Sequence, residues 1–390
     1  MHSRSEKQLL AALLAVVLLL ALVLGAAPPL QAAELCSRVS LDPPPAWLSD
    51  AMWIPSPSDK IFAVDAGLNR ILLYSPNGKA TALAEPAKEY PSLVTSLGGR
   101  VLLKVVGGGV VSLDPAHLAD FAERQAGPAL KSIATSEGRR LSAINQWSGV
   151  GDSTILAFGH VRAENQGEQA QSGLFRIAAG SERGELLQHV DSWGYYVVGY
   201  NYLTAIGATG YFLDMDGRAQ LYEVAADGAK RVLRDAIPQQ FGVAGPIDAA
   251  MNGPQDAPHL YSRLEQLTMV AGIYGNPGDG KLYVLARQPA AKGGTDWWLF
   301  QIDPKGGRMV AGEGPQGAIV GKIRLPTASN FLSLVVAPAD DNHAAAVHVF
   351  ERGKVDGLGS QSIKTMLTVS LAAFQNAPQQ GVGPCGRLNE

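Results

Sequence analysis

The sequence predicts an all-β protein, a six-bladed β-propeller closed near its termini. Three observations carry that expectation. A short hairpin signature recurs along the chain, strong helix signals are nearly absent, and the two cysteines, Cys36 and Cys385, stand near opposite ends. A length of 390 residues admits either one large closed β architecture or two ordinary domains. With 44 Gly, 24 Pro and 17% charged residues, the chain is folded and turn-rich. A net charge of −3 offers no basic footprint, so nucleic acid is not an expected partner.

The first element is an address. Leu9 to Leu30 is a run of 22 uncharged residues, preceded by Arg4 and Lys7 and followed by the small residues Ala32 and Ala33. Residues 1–33 therefore read as an export signal and residues 34–390 as a single propeller domain, periplasmic or secreted. The same run approaches the roughly 20 residues that span a bilayer, so an uncleaved membrane anchor is the second reading. In an oxidising compartment two cysteines are most simply a disulfide. A Cys36–Cys385 bridge suits a closed ring, whose first and last blades must touch.

The repeat comes next. Its copies are Leu72-Leu73-Tyr74-Ser75-Pro76-Asn77-Gly78-Lys79, Val110-Val111-Ser112-Leu113-Asp114-Pro115, Leu174 to Gly180, Leu221 to Lys230, Leu299 to Gly306 and, more loosely, Val347 to Lys354. Each joins an apolar strand to a turn rich in Asp, Pro, Asn or Gly, which is hairpin chemistry. A further strand is expected upstream of each copy: Lys60 to Val64, Arg100 to Val106, Ser153 to Phe158, Gly210 to Leu213, Lys281 to Ala286 and Phe331 to Val336. Tyr200 to Ile206 and Leu267 to Ile273 supply a third strand in two blades. Ala116 to Ala126 is the main helix candidate, a short insertion between blades. A β-sandwich joined to a second β-domain would not repeat one hairpin signature along the whole chain.

In a propeller the innermost strands line a channel. A site built from one residue per blade then appears as polar residues at the start of successive inner strands. Asp50, Asn145, Asn201, Glu265 and Asn330 hold such places, just ahead of Met52-Trp53, Gln146-Trp147, Tyr202-Leu203, Gln266-Leu267 and Phe331-Leu332. A wet channel explains the same polarity without any ligand. Trp193, Tyr195, Tyr196, Tyr200 and Tyr202 form an aromatic cluster suited to sugar or peptide contact, or equally to packing between blades. His343 and His348 match no common zinc spacing, and Gly107-Gly108-Gly109 reads as a tight hairpin, with no helix after it to hold a phosphate.

Asp50 to Tyr74, with Trp53, Ile61-Phe62-Ala63-Val64-Asp65 and Asn69-Arg70-Ile71, resembles the six-bladed propellers of the NHL-repeat and SMP-30/gluconolactonase/LRE-like superfamily. So does Asn201-Tyr202-Leu203, followed by Gly210 to Asp214 and Gly217 to Tyr222. For its lactonase members the resemblance implies one divalent cation held by a Glu, two Asn and an Asp. By position these become Asp50, Asn145, Asn201 and Glu265, with the two acids interchanged, a hard-oxygen set suited to Ca²⁺ or Mg²⁺. Glu265 or Asp50 would then serve as general base beside a metal-polarised lactone carbonyl or an activated water. The sequence thus predicts an exported propeller that binds a small molecule or a protein or peptide partner. A divalent-metal-dependent hydrolase of the lactonase type is the alternative.

Overall fold

Short apolar runs separated by Gly- and Asp-rich turns fold into sheets that stand side by side in sequence order. The computed structural model describes residues 35–385, apart from 56, 84–90, 106–108, 119–124, 127–133, 136–140, 162–170, 182, 191–200, 215–219, 234–235, 239–240, 242–267, 292–293, 307–308, 311–313, 316–317, 327–329, 340–343, 353–362 and 377–384. The stretch read as an export signal lies outside the described residues, as do Glu265 and the aromatic residues Trp193 to Tyr200.

The chain opens with β1 (Cys36–Ser40) and then lays down blade one: β2 (Leu48–Ile54), β3 (Lys60–Asp65), β4 (Arg70–Tyr74) and β5 (Ala80–Leu83). Blade two holds β6 (Pro91–Leu97), β7 (Arg100–Val105), β8 (Val110–Leu113) and β9 (Gln125–Ala126). Blade three has an extra outer strand, β10 (Ala134–Thr135), beside β11 (Leu141–Val150), β12 (Thr154–Val161), β13 (Gln171–Ala178) and β14 (Arg183–His189). Blade four is β15 (Leu203–Ile206), β16 (Thr209–Asp214), β17 (Gln220–Ala225) and β18 (Lys230–Val232). Blade five consists of β19 (Met269–Asn276), β20 (Lys281–Pro289), β21 (Thr295–Asp303) and β24 (Ala318–Leu325), with β22 (Met309–Val310) and β23 (Gly314–Pro315) paired as a ribbon between the last two. Blade six contains β25 (Asn330–Ala337), β26 (Ala346–Arg352) and β27 (Ile363–Ser370), and its outermost strand is β1.

The ring closes. The inner strands β2, β6, β11, β15, β19 and β25 each pack against the next, and β25 returns to β2. Because neighbouring blades cover both faces of a sheet, strands read as continuous apolar runs. Val101 and Leu103 of β7 enter one core cluster with Phe62 and Val64 of blade one, whereas Leu102 enters another with Ile155 and Phe175 of blade three. The two-residue period of the strand sends alternate side chains to opposite neighbours.

Blade six depends on both ends of the chain. β1 runs antiparallel to β27 from Cys36 opposite Val369 to Ser40 opposite Thr365. Arg38 of β1 pairs with Glu351 of β26 at 3.1 Å. Cys36 is bridged to Cys385, 349 residues away in sequence, with Cα atoms 5.3 Å apart. Beyond β1 the chain bonds blade one: Asp42 N–H donates to Gly78 O at 3.0 Å, and Ala80 N–H donates to Asp42 O at 2.8 Å. Gly78 sits at φ +82°, where a Cβ would run into Ser40 O, so the Asn77-Gly78 turn and this crossing require glycine.

Five of the six expected hairpin copies fall on the third strand of a blade, namely β4, β8, β13, β17 and β21. The sixth, at Val347, is corrected: it lies on β26, a second strand, and Phe331 to Val336 belong to the inner strand β25. Blade six takes its outer strand from the N-terminus, so its true third strand, β27, has no hairpin turn after it. The helix expected over Ala116 to Ala126 is also corrected. Pro115–His117 form one 3₁₀ turn capped by Asp114, and Gln125–Ala126 pair with β8 instead. A short helix the sequence did not announce, α1 (Ala372–Asn376), places Phe374 against β24 and the ring of Tyr283. Val105 N–H donates to Gly109 O at 3.0 Å, as a β7–β8 hairpin requires.

Replacing Cys36 and Cys385 together by Ser should leave the ring folded and lower its unfolding free energy, by at most about 5–6 kcal/mol on the chain-entropy account. Truncation through Ser40, which also strips β27 of its partner strand, should abolish the single cooperative transition in calorimetry. A truncated chain melting as sharply as the full one would refute closure by β1.

Candidate functional site

The edge of each inner strand that faces the axis has no further strand to pair with. Its backbone groups must therefore find side chains. Neighbouring blades supply them. Asp50 Oδ2 accepts from Val94 N–H at 2.9 Å and Thr95 Oγ1 accepts from Gly149 N–H at 2.8 Å. Gln146 Oε1 accepts from Tyr202 N–H at 2.7 Å and Thr204 Oγ1 accepts from Gly275 N–H at 2.8 Å. Tyr274 Oη of blade five accepts from Trp53 N–H of blade one at 3.1 Å, passing in front of blade six. The strands approach so closely that a Cβ on Gly149 would run into Ser96 O, and one on Gly275 would lie 2.6 Å from Ala205 O.

Where the inner strands turn into the second strands, the ring opens into a cavity of about 640 Å³. Every blade lines it; Trp53, Leu97, Trp147, Thr204, Tyr274 and Val336 contribute one residue from each. Asp50 borders it too and keeps some exposed area on that account, yet it lies deep in the ring. Burial pushes its carboxyl up to about 7, against the opposing pull of the Val94 and Ala51 N–H groups. Burial also pushes the Tyr274 hydroxyl up to about 12, helped by the neighbouring Asp50 charge. No basic side chain pairs with Asp50 among the described residues. Arg100 borders the cavity, but its guanidinium donates to Ser112 Oγ at 3.0 Å and Ser112 O at 3.4 Å. Asp152 adds a second, exposed carboxylate to the lining.

The sequence-predicted residues separate as follows. Asp50 and Asn201 both border the cavity; Asn201 Oδ1 accepts from Leu203 N–H at 3.1 Å and Asn201 O from Ile273 N–H at 2.7 Å. Asn145 is not among the lining residues, and its Nδ2 is buried without a hydrogen-bond partner. The physical reason is a bulge. The pairing of β11 with β12 slips between Ile144 and Gln146, so Asn145 is the extra residue, just as Ser49 is the extra residue of β2 between Leu48 and Asp50. The counterpart of Asp50 in blade three is thus Gln146. Asn330 pairs with Arg352 at the start of β25. Tyr202 is buried, its hydroxyl donating to Val270 O at 3.3 Å, which makes it packing between blades four and five. Glu265, Trp193, Tyr195 and Tyr200 lie outside the described residues. Trp53, Trp147 and Tyr274 were not predicted as lining; Trp53 and Trp147 follow the polar starts Asp50 and Asn145 by three and two residues and Tyr274 follows Glu265 by nine, all at positions that read only as core.

A Ca²⁺-like cation takes six to eight oxygens. Among the described residues only Asp50 and Asn201 of the implied set reach the cavity, their carboxyl and amide oxygens already accept backbone N–H groups, and no group of three His, Cys, Asp or Glu is placed to hold a metal. These residues do not by themselves form a cation cage.

Six sheets ringed about a lined cavity define a six-bladed β-propeller. No protein-family model and no curated protein matches the chain. Among solved structures it is similar to a gluconolactonase from Xanthomonas campestris, at 13% identity and a TM-score of 0.45 over 87% of this chain and 92% of that one. It is also similar to the calcium-binding protein regucalcin from Agrobacterium tumefaciens, at 13% identity and 0.41 over 90% and 97%. A virginiamycin B lyase from Staphylococcus aureus follows at 9% and 0.37, over 86% and 99%. These likenesses concern the arrangement of blades and assign no residue a role.

Asp50 sets a pH dependence of stability. The folded chain holds the proton up to about pH 7, whereas the unfolded chain releases it near 3.8. Between those values the native state binds more protons, so stability falls as pH rises and the loss is complete above about 7. The wild type should lose about 2–3 kcal/mol from this group between pH 5 and 8. In Asp50→Asn that slope should vanish, although the variant also loses an acceptor for one backbone N–H. Urea midpoints across pH measure both effects, and equal slopes in the two proteins would refute the buried acid.

Proposed function

We propose that this protein is an exported binding propeller that holds a small organic molecule in its central cavity. The observation that carries the reading is the cavity itself, about 640 Å³ and lined from all six blades. Drug-sized and cofactor-sized ligands occupy cavities of roughly 300–1,000 Å³ with mostly apolar walls and a few fixed polar groups. Trp53, Trp147 and Leu97 supply such walls, and Asp50, Asn201 and Tyr274 supply such groups. Concave shape favours a small molecule over a protein face as the occupant. The Cys36–Cys385 bridge and the uncharged run Leu9 to Leu30 support an oxidising compartment outside the cytoplasm.

A second reading is favoured by one observation, that Asp50 and Asn201 border the same cavity. It makes the protein a divalent-metal-dependent hydrolase of the lactonase type, with Ca²⁺ or another divalent ion completed by residues such as Glu265.

A thermal-shift screen of small molecules separates these readings. Binders of the first kind should raise the melting temperature, quench tryptophan fluorescence with one site per chain, and lose affinity in Ala205→Trp, which fills the lining. At a hundredfold excess over Kd the stabilisation should be about 2.7 kcal/mol. Ca²⁺, Mg²⁺, Mn²⁺ and Zn²⁺ should raise the melting temperature only on the second reading, in a manner altered by Asn201→Asp and Glu265→Ala. Absence of any shift with all these ions would remove the hydrolase.

A further inference from the structure

The charges of the described residues around the cavity do not balance. Among the described residues its lining contains two carboxylates, Asp50 and Asp152, and one basic residue, Arg100. Arg100 is turned away to Ser112 of β8, so its charge is spent on blade two. Asp50 receives two backbone N–H groups, from Ala51 and Val94, each at 2.9 Å, and among the described residues no cationic side chain. Two neutral donors satisfy hydrogen-bonding geometry without neutralising a charge. A carboxylate deep in a ring is normally paired or metal-bound, because an isolated buried charge is among the most unfavourable features a fold can hold. Here its open side faces a cavity that Trp53, Trp147, Tyr274 and Met52 also line. Aromatic faces attract cations that have shed water, and thioether sulfur is compatible with the same soft, apolar surroundings. A small inorganic ion would leave most of about 640 Å³ unfilled and would need more oxygen ligands than Asp50 and Asn201 provide.

We propose that the occupant of the cavity is a monovalent organic cation, an ammonium group whose charge is met by Asp50 and whose apolar body is met by Trp53, Trp147 and Tyr274. This rests on the small-molecule reading above and names the ligand class for it. The ammonium supplies the missing positive charge, and the aromatic residues supply contact for the carbon skeleton. Asp152, exposed and also in the lining, adds an attractive potential for the approaching cation. A neutral ligand of the same shape gains only the apolar part.

The test uses matched pairs on the full chain at pH 8 by calorimetric titration and thermal shift: choline against 3,3-dimethyl-1-butanol, and phenethylamine against 2-phenylethanol, with CaCl₂ as a separate arm. Each amine should bind at least about ten-fold more tightly than its uncharged partner. In Asp50→Asn that ratio should fall to about two-fold, the part left to Asp152 and the aromatic faces, and Asp152→Asn should lower amine affinity about two-fold. The pair ratios are read on the wild type, so they decide the matter even where Asp50→Asn does not fold. Equal or tighter binding of the uncharged partners overturns the proposal and leaves a neutral-ligand propeller; a full ten-fold preference that persists in Asp50→Asn overturns the assignment of the charge to Asp50. Ca²⁺ binding that requires Asp50 and excludes the amines overturns it in favour of the metal reading. If neither amine binds while other screened molecules do, the cation assignment falls alone; if nothing of any class binds, the small-molecule reading falls with it.

Discussion

The structure depends on one pairing, β1 against β27. A ring of sheets is stable only if every blade has a neighbour on each face, because each buries apolar side chains on both sides. Blade six lacks a fourth strand of its own, and Cys36–Ser40 provide it from the other end of the chain. The Cys36–Cys385 bridge then fastens the start of that strand to the segment beyond α1. Chain ends ordinarily fray. Here the first and last described strands hold each other, and the register from Cys36–Val369 to Ser40–Thr365 aligns the outer edge of blade six with the turn of blade one that Asp42 bonds.

Closure dictates the centre. Six inner strands brought to one axis leave six rows of backbone groups without strand partners, and they approach closely enough that Gly149 and Gly275 leave no room for a side chain. Short polar side chains fill the hydrogen-bonding deficit between blades, which is why Thr95, Gln146 and Thr204 are buried yet satisfied. Asp50 does the same task for blade two. It differs from the other three in being ionisable where a neutral acceptor would suffice, and a neutral residue such as Gln146 performs the equivalent bond in blade three. The hydrogen bond to Val94 therefore does not account for a carboxylate at position 50. A carboxylate there is what the proposed organic cation would meet.

Much of the architecture was legible. Hairpin turns such as Asn77-Gly78 and Asp227-Gly228 are written in residues that accept positive φ, and the strands between them are apolar because both faces are covered. The sixth copy slipped by one strand because the outer strand of blade six stands at the far end of the sequence, where no local pattern points to it. Within the site, Asp50 and Asn201 were legible as polar residues opening inner strands. Asn145 was misplaced by the bulge at Ile144–Gln146, since an extra residue reverses which side chain faces the axis and nothing in Ile144-Asn145-Gln146-Trp147 marks the slip. Tyr274 was invisible for another reason: its bond to Trp53 N–H joins residues 221 apart and depends on the curvature of the closed ring.

The geometry also bears on what kind of work the site does. Bound groups that change little between free and occupied states suit selection of a ligand by shape and charge. Asp50 is held at both oxygens by backbone of two blades, Tyr274 bonds the backbone of a third strand, and Asn201 is tied through Leu203 and Ile273. None of these side chains is left to swing toward a reacting atom. The two N–H donors on Asp50, one on each oxygen, fix where the carboxyl group sits. The same two bonds hold the group at a fixed point, which is what the proposed recognition of a cation requires. Rigidity imposed by ring closure thus ties the architecture to the proposed binding: the pairing that fastens the first strand to the last blade closes the ring in which Asp50 borders the cavity.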